Sequence, residues 1–276
     1  MAKQWRQHQD CDDGERTSHC FSSSPSNVPS TFTVIAVARL VVIARLWFQT
    51  SNGNCCRCSL TALQGLDGTE EGIPGFRRHF IERESLHRHL DGGVAVFVQD
   101  SIQLEKSELL SSPDVLVLDL QEMMVVAAYI LPRNSPTYEG VGDPYDSLEK
   151  LLAVCGEEAK PAVIVGDLNA RVGVNDLRMS DNKVASKQGE SLLDSCNKMG
   201  MQIFNGMFPN SGLSTSHSPG HGHSVVDLVI GNRSVLVVDM RIGSQWSMGA
   251  DSGKTLSTDH SEVFLDLFNP RQFAGL

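Results

Sequence analysis

Positive charge is scarce in this chain. Against 33 Asp and Glu, the 276 residues carry only 23 Lys and Arg, a formal net charge of −10. The deficit is uneven: residues 1–100 hold 10 basic and 11 acidic side chains, leaving 13 and 22 for residues 101–276. Such a balance argues against a protein that grips nucleic acid mainly by neutralising phosphates, which takes Lys and Arg. It suits a site that holds a divalent cation on carboxylates. Cysteine is present in odd number, seven residues at spacings that form no disulfide framework, which implies a reduced, intracellular chain. Cys55-Cys56-Arg57-Cys58 can seed a zinc site, but no second Cys/His pair stands at zinc-finger spacing, so zinc is the minor reading. Met1–Asn27 is polar and lacks the apolar h-region of a secretory leader. No repeat of fixed period is apparent.

One apolar run nears the length of a bilayer span. Thr31–Phe48 has 18 residues, but Arg39 and Arg45 lie inside it. Each would cost about 2.5–3.5 kcal/mol at a bilayer centre. The run therefore reads as a buried strand, Phe32–Ala38, followed by an amphipathic helix over Ala38–Gln49. Apolar residues make up 41% of the chain, enough for a core.

Taken in order, residues 1–30 are rich in Ser, Asp, Gln and His and read as a disordered tail. Residues 31–58 form an atypical N-terminal segment, and residues 59–270 the main domain. Ser51–Arg57 reads as a loop and Ser59–Gln64 as a short strand. Phe76–Leu90 holds the only basic concentration, Arg77, Arg78, His79, Arg83, His87, Arg88 and His89. It is either a solvated surface segment or a contact for a phosphate backbone through Arg77 and Arg78. Strands follow at Val94–Val98, Val115–Leu120 and Met124–Leu131. Leu148, Leu151 and Leu152 share one face of a helix over Asp146–Cys155. Leu192, Leu193 and Cys196 point inward from a second helix, Gly189–Met199. Met207–Gly222 is loop. Further strands lie at Met201–Phe204, Ser224–Ile230, Val235–Ile242 and Val263–Phe268, with a loop over Gly249–Thr258. Strands outnumber helices and often adjoin one another, which points to an α+β fold of two face-to-face sheets with helices outside.

The chemistry centres on Pro161–Gly173, PAVIVGDLNARVG. Ala162–Val165 is an apolar run of the kind a strand buried on both faces shows. Gly166 permits a turn or a close approach. Asp167 and Asn169 follow, two apart, so a continuing strand would send both side chains to one side. A carboxylate can accept a proton and an amide can donate to a charged oxygen. Both are also common turn residues, and turn chemistry remains the competing reading. Asp227 lies inside the apolar SVVDLVI, where an ionised carboxylate needs a partner. His260, in Thr258-Asp259-His260-Ser261, is the natural candidate. Asp259 is then left as a base or metal ligand. The bland alternatives are a strand-end cap and a polar turn.

GDLNAR at Gly166–Arg171, SVVDLVI at Ser224–Ile230 and STDHS at Ser257–Ser261 occur in that order. Together they resemble the last three motifs of the endonuclease/exonuclease/phosphatase superfamily. Within it the chain is most similar to endonuclease domains of non-LTR retrotransposons. AAYILPRNSP at Ala127–Pro136 resembles that family's Tyr-containing strand and loop, and GGVAVFV at Gly92–Val98 the preceding strand. The resemblance runs from about Ser59 to Phe268. It implies a DNase I-like two-layer β-sandwich flanked by helices, with an atypical N-terminal part. It also implies Mg²⁺- or Mn²⁺-dependent hydrolysis of DNA, without membrane association, in an intracellular compartment and in the nucleus if DNA is the substrate. Asp167 would activate or orient the attacking water, and Asn169 would stabilise phosphate charge. Asp227 would orient His260 towards the scissile phosphate. Asp259 would help hold the metal or orient His260, and Tyr129 would approach the phosphate with its phenol.

Three departures from the family pattern stand out. The first strand should end in an Asn that supports the metal, but Phe32–Phe48 contains none. The next should end Leu-Gln-Glu with Glu as the principal metal ligand, but the chain reads Leu63-Gln64-Gly65. An Asn expected near the second helix is Ser186. A weakened metal site is the consequence. The alternatives to an active nuclease are a catalytically inactive remnant or nucleic-acid-binding module, and a phosphatase of small or lipid phosphates.

Overall fold

The protein was described from a computed structural model, in which residues 40–49, 55–64, 75–83, 92–106, 110–120, 123–133, 135, 143–158, 160–217, 222–249 and 255–268 are defined. In chain order the elements are β1 (Leu40–Gln49), β2 (Cys55–Gln64), β3 (Phe76–Arg83), β4 (Gly92–Gln99), β5 (Glu105–Lys106), β6 (Val115–Asp119), β7 (Met124–Tyr129), α1 (Pro144–Glu157), β8 (Ala162–Asp167), α2 (Lys187–Met199), β9 (Gln202–Ile203), β10 (Asp227–Gly231), β11 (Leu236–Gly249) and β12 (Thr255–Phe268). They build two six-stranded sheets, one ordered β11-β12-β1-β2-β4-β3 and the other β5-β6-β7-β8-β10-β9.

The period of two explains how the layers stack. In β7, Val125, Ala127 and Tyr129 face the first sheet, meeting Val94, Val96 and Val98 of β4 and Val263, Leu265 and Leu267 of β12 in one core. Met124, Val126 and Ala128 face the other way, into a second core with Leu148, Leu151 and Leu152 of α1 and Leu192 and Cys196 of α2. Both faces of β7 and β8 are thus buried, as their unbroken apolar runs anticipate. Leu193 packs on the second core only half-buried. Among the described residues, the α+β sandwich has its helices on one sheet only.

Both helices start on side-chain caps. Asp143 Oδ1 accepts from Tyr145 N at 3.0 Å, with Pro144 in the first turn, and Ser186 Oγ accepts from Gly189 N at 3.1 Å.

Three expectations need correction. Leu40–Gln49 is a strand, not an amphipathic helix. It pairs antiparallel with all of β2, Leu40 opposite Gln64, and parallel with β12, Val42 opposite Val263. Its β-branched Val41, Val42 and Ile43 favour an extended chain with neighbours on both sides. Cys55–Arg57, expected in a loop, begins β2, while the basic segment from Phe76 carries the exposed edge strand β3. Of the expected loop over Gly249–Thr258, Gly249 and Thr255–Thr258 lie in strands instead, with Gly249 of β11 opposite Thr255 of β12. The tail, the Phe32–Ala38 strand and Gly65 lie outside the described residues. Among those described, no helix is long and apolar enough to cross a membrane.

Candidate active site

Asp167 ends β8. In register it stands level with Tyr129 of β7 on one side and Asp227, the first residue of β10, on the other. Val165 and Val229, two residues away on their strands, face the first sheet, so Tyr129, Asp167 and Asp227 point to the inter-sheet side as well. The opposite sheet supplies Asp259 and His260 from β12. A strap over 215–217 ties the two sheets together at this end. Ser216 bridges to both Ser224 and His260, and Ser261 N donates to Thr215 O at 2.7 Å. His217 N donates to Asp259 O at 2.6 Å. Thr215 Oγ1 accepts from the amides of Val226 and Asp227, each at 3.1 Å.

His260 Nδ1 and Asp227 Oδ2 are 2.8 Å apart. The other ring nitrogen, Nε2, lies 4.0 Å from Asp167 Oδ2 and 3.9 Å from Asp259 Oδ1. Asp227 is 1%, Asp167 5% and His260 6% exposed, whereas Asp259 is half-buried. The predicted Asp227–His260 contact is therefore present, and both remaining carboxylates lie near Nε2 of the imidazole. Asp227 Oδ1 is buried without a hydrogen-bond partner.

Burial, followed by the negative charge of Asp227, pushes the Asp167 carboxyl up to about 7, against the pull of His260 and the Asn169 N–H. Burial alone would lower His260. The charge and hydrogen bond of Asp227, with Asp167 and Asp259 behind it, outweigh burial and raise the imidazole to about 9. In the metal-free state at neutral pH, His260 is a cation and Asp167 is close to its midpoint.

The strand ends at Asp167, so alternation does not carry on to Asn169. Asn169 instead adopts φ +47°. Its N–H donates to Asp167 Oδ1 at 2.9 Å and its Nδ2 donates to Ile130 O at 2.8 Å. The turn reading holds: one Asp167 oxygen closes the turn, while the other lies 4.0 Å from His260 Nε2. Tyr129 is 5% exposed beside Asp167.

Arg77 and Arg78 are not brought to this site. Their strand lies four strands across the sheet from β12, about 19 Å at ordinary strand spacing. Arg77 Nη2 donates to Ile102 O and to Asp100 O, and the Arg78 guanidinium stacks 4.4 Å from the Phe80 ring centroid. Ser186, where an amide was expected, is occupied as the α2 cap. The direction of β1 removes another possible ligand. Its Leu40 end lies at the His260 end of β12, so anything at the Gln49 end is about 30 Å away.

Sequence reasoning missed the strap, Asn205 and Tyr145. Asn205 Nδ2 donates to Asp227 O at 2.9 Å and its Oδ1 accepts from Val229 N at 2.8 Å, fixing the start of β10. Tyr145 OH donates to Leu168 O at 2.6 Å, and burial together with the charge of Asp167 holds its phenol well above the usual range. The available signal for the strap was the Ser/Thr density just before SVVDLVI, residues that bond readily to backbone.

The ligand atoms of Asp167, Asp227 and His260 all lie within 4.8 Å of one another. Carboxylate oxygens, one of them buried and unbonded, suit a hard divalent cation, although His260 Nδ1 is already committed to Asp227.

Residues 123–264 match the family model described as endonuclease-reverse transcriptase. Among solved structures, the chain is similar to the 3'-5' exonuclease NExo from Neisseria meningitidis, with TM-score 0.53, 13% identity, and coverage of 81% of this chain and 98% of that one. The Neisseria 3' phosphatase NExo bound to a product DNA hairpin gives 0.53, 12%, 81% and 97%. An AP endonuclease from Archaeoglobus fulgidus gives 0.52, 13%, 80% and 96%. These likenesses establish a DNase I-like fold. No curated protein matches the chain.

Proposed function

The chain belongs to the endonuclease-reverse transcriptase family of the endonuclease/exonuclease/phosphatase superfamily, whose chemistry is nuclease- and phosphodiesterase-type hydrolysis, and from that premise we propose that it is a Mg²⁺- or Mn²⁺-dependent DNA endonuclease of retrotransposon origin. The observation that carries this reading is the buried Asp227–His260 pair at 2.8 Å, with Asp167 and Asp259 about the other ring nitrogen. NExo bound to a DNA hairpin supports DNA as the substrate class.

His260, cationic at neutral pH and held by Asp227, donates from Nε2 to a phosphate oxygen as negative charge builds there. Asp167, once ionised, takes the proton of the attacking water. Asn169 keeps a second amide hydrogen for the phosphate while its first is bonded to Ile130 O. Tyr129, level with Asp167 on the neighbouring strand, approaches the phosphate with its phenol. Asp259 would help hold a divalent cation beside the Asp167, Asp227 and His260 cluster, and that cation would supply Lewis-acid stabilisation of phosphate oxygen.

We further infer that the metal is held weakly. Ser186 is committed to capping α2, β1 runs away from the site, and Gly65 offers no side chain where a carboxylate is expected. The test compares hydrolysis of duplex DNA and of inositol polyphosphates in Mg²⁺. DNA should be cut and the inositol phosphates left intact. Hydrolysis of the inositol phosphates alone would replace this reading with a small-phosphate phosphatase, and hydrolysis of neither would support an inactive remnant.

A further inference from the structure

Two arginines sit on either side of the turn that carries Asp167 and Asn169. Arg133 follows β7. The backbone between them is bonded to the turn, with Ile130 N donating to Asp167 O at 2.9 Å and Asn169 Nδ2 donating to Ile130 O. The Arg133 guanidinium lies 5.2 Å from the centroid of the Tyr145 ring, and its Nε is 2.5 Å from Asp143 Oδ2. Tyr145 is itself anchored to Leu168 O. The head group is thus held by a ring and a carboxylate, and its side chain is 40% exposed.

Arg171 lies on the other side of Asn169. Leu168, Ala170 and Val172 go into the core, while Arg171 is exposed. Its backbone is clamped from both directions: Arg171 N donates to Ser186 Oγ at 3.2 Å, and Ser186 N donates to Arg171 O at 2.8 Å. Helix α2 presses so close that a Cβ on Gly189 would come within 1.7 Å of Arg171 O. The guanidinium makes no bond to a described residue.

In a chain of net charge −10, Arg133, whose head group is held, and Arg171, whose backbone is clamped, both face solvent on chain segments flanking a carboxylate-rich site, where a planar guanidinium matches a phosphate. We propose that Arg133 and Arg171 form a phosphate track, each binding one non-scissile phosphate of the DNA strand on opposite sides of the phosphate held at Asp167 and His260. Asp143 shares Arg133 and keeps its fork oriented when no DNA is bound. The track rests on the DNA-hydrolase reading above. It also resolves the conflict between an acidic chain and a polyanionic substrate, because two local contacts do not require a basic surface.

The test is binding of the full chain to a fluorescein-labelled DNA duplex in EDTA, followed by anisotropy between about 50 and 200 mM salt. Each phosphate contact contributes about −0.9 to the slope of log K against log salt. Arg133→Ala and Arg171→Ala should each flatten that slope by about 0.9, and the double variant by about twice as much. Arg133→Lys, which keeps the charge, should retain the slope. Lys198→Ala, in the last turn of α2, should leave it unchanged. Urea midpoints of Arg171→Ala and Lys198→Ala should match wild type, and that of Arg133→Ala, which loses its contacts to Tyr145 and Asp143, is read beside its slope. If wild type binds with a salt-dependent slope and the arginine variants keep it, or weaken binding only by lowering the urea midpoint, the track is wrong and the DNA reading stands. If wild type shows no salt-dependent binding, the DNA reading falls and the track falls with it.

Discussion

Asp227→Asn isolates what the buried carboxylate does for His260. The substitution keeps the shape of the side chain and removes its charge at a position 1% exposed and 2.8 Å from the imidazole. Breaking one half of a buried ion pair costs about 3–5 kcal/mol of stability. The lower end applies here, because the amide oxygen can still accept from His260 Nδ1. The charge of Asp227 is the largest influence raising His260, so the imidazole should fall from about 9 by about 1–3 units. At pH 8 most of it would then be neutral, and a charged donor would be lost from the phosphate. Losing one such donor costs about 10²–10³ in rate. The His260 ring resonances, followed by NMR in EDTA, give the titration, and single-turnover cleavage gives the rate. An imidazole that still titrates near 9 would show that Asp227 does not set its charge. A lowered titration with an unchanged rate would show that the charge is not used.

Without metal, the native state holds protons on Asp167 and His260 that the unfolded chain has released. The Asp167 contribution is lost as pH rises from 3.8 through about 7, and that of His260 is complete below 6.5 and lost through about 9. Urea midpoints in EDTA should therefore fall between pH 5 and 9, and a midpoint that climbs over that range contradicts the assignment. Ser186→Ala removes the α2 cap and the bond to Arg171 N, and should cost about 1–2 kcal/mol in urea unfolding; a neutral result would mean the cap is not formed. Gly65→Glu puts a carboxylate directly after Gln64, which pairs with Leu40, and should tighten Mn²⁺ binding by at least about tenfold in a calorimetric titration. No change would mean that the Glu position is not what limits the metal.

What was legible in the chain followed from pattern. Strands buried on both faces announce themselves as unbroken apolar runs, and the Leu148/Leu151/Leu152 stripe marks α1. The Asp227–His260 contact was foreseeable because a carboxylate in SVVDLVI has to find a partner. The direction of β1 was not foreseeable. VVIARLW fits a helix face and a strand alike, and only pairing with β2 and β12 decides between them. Arg77 and Arg78 looked like phosphate contacts because local charge density carries no information about which edge of a sheet a strand will occupy. The strap over 215–217 was hidden for a related reason: its bonds run from backbone to residues more than forty positions away, Asp259 and Ser261.

The most direct test of a metal-dependent DNA endonuclease is nicking of supercoiled plasmid in Mg²⁺, measured beside an EDTA control and an Asp167→Ala control. Nicking that needs both the cation and Asp167 is the predicted result, and it would mean that the site works without a carboxylate at Gly65. Nicking that persists in EDTA, or that Asp167→Ala leaves intact, would contradict the account. So would no nicking above the Asp167→Ala background.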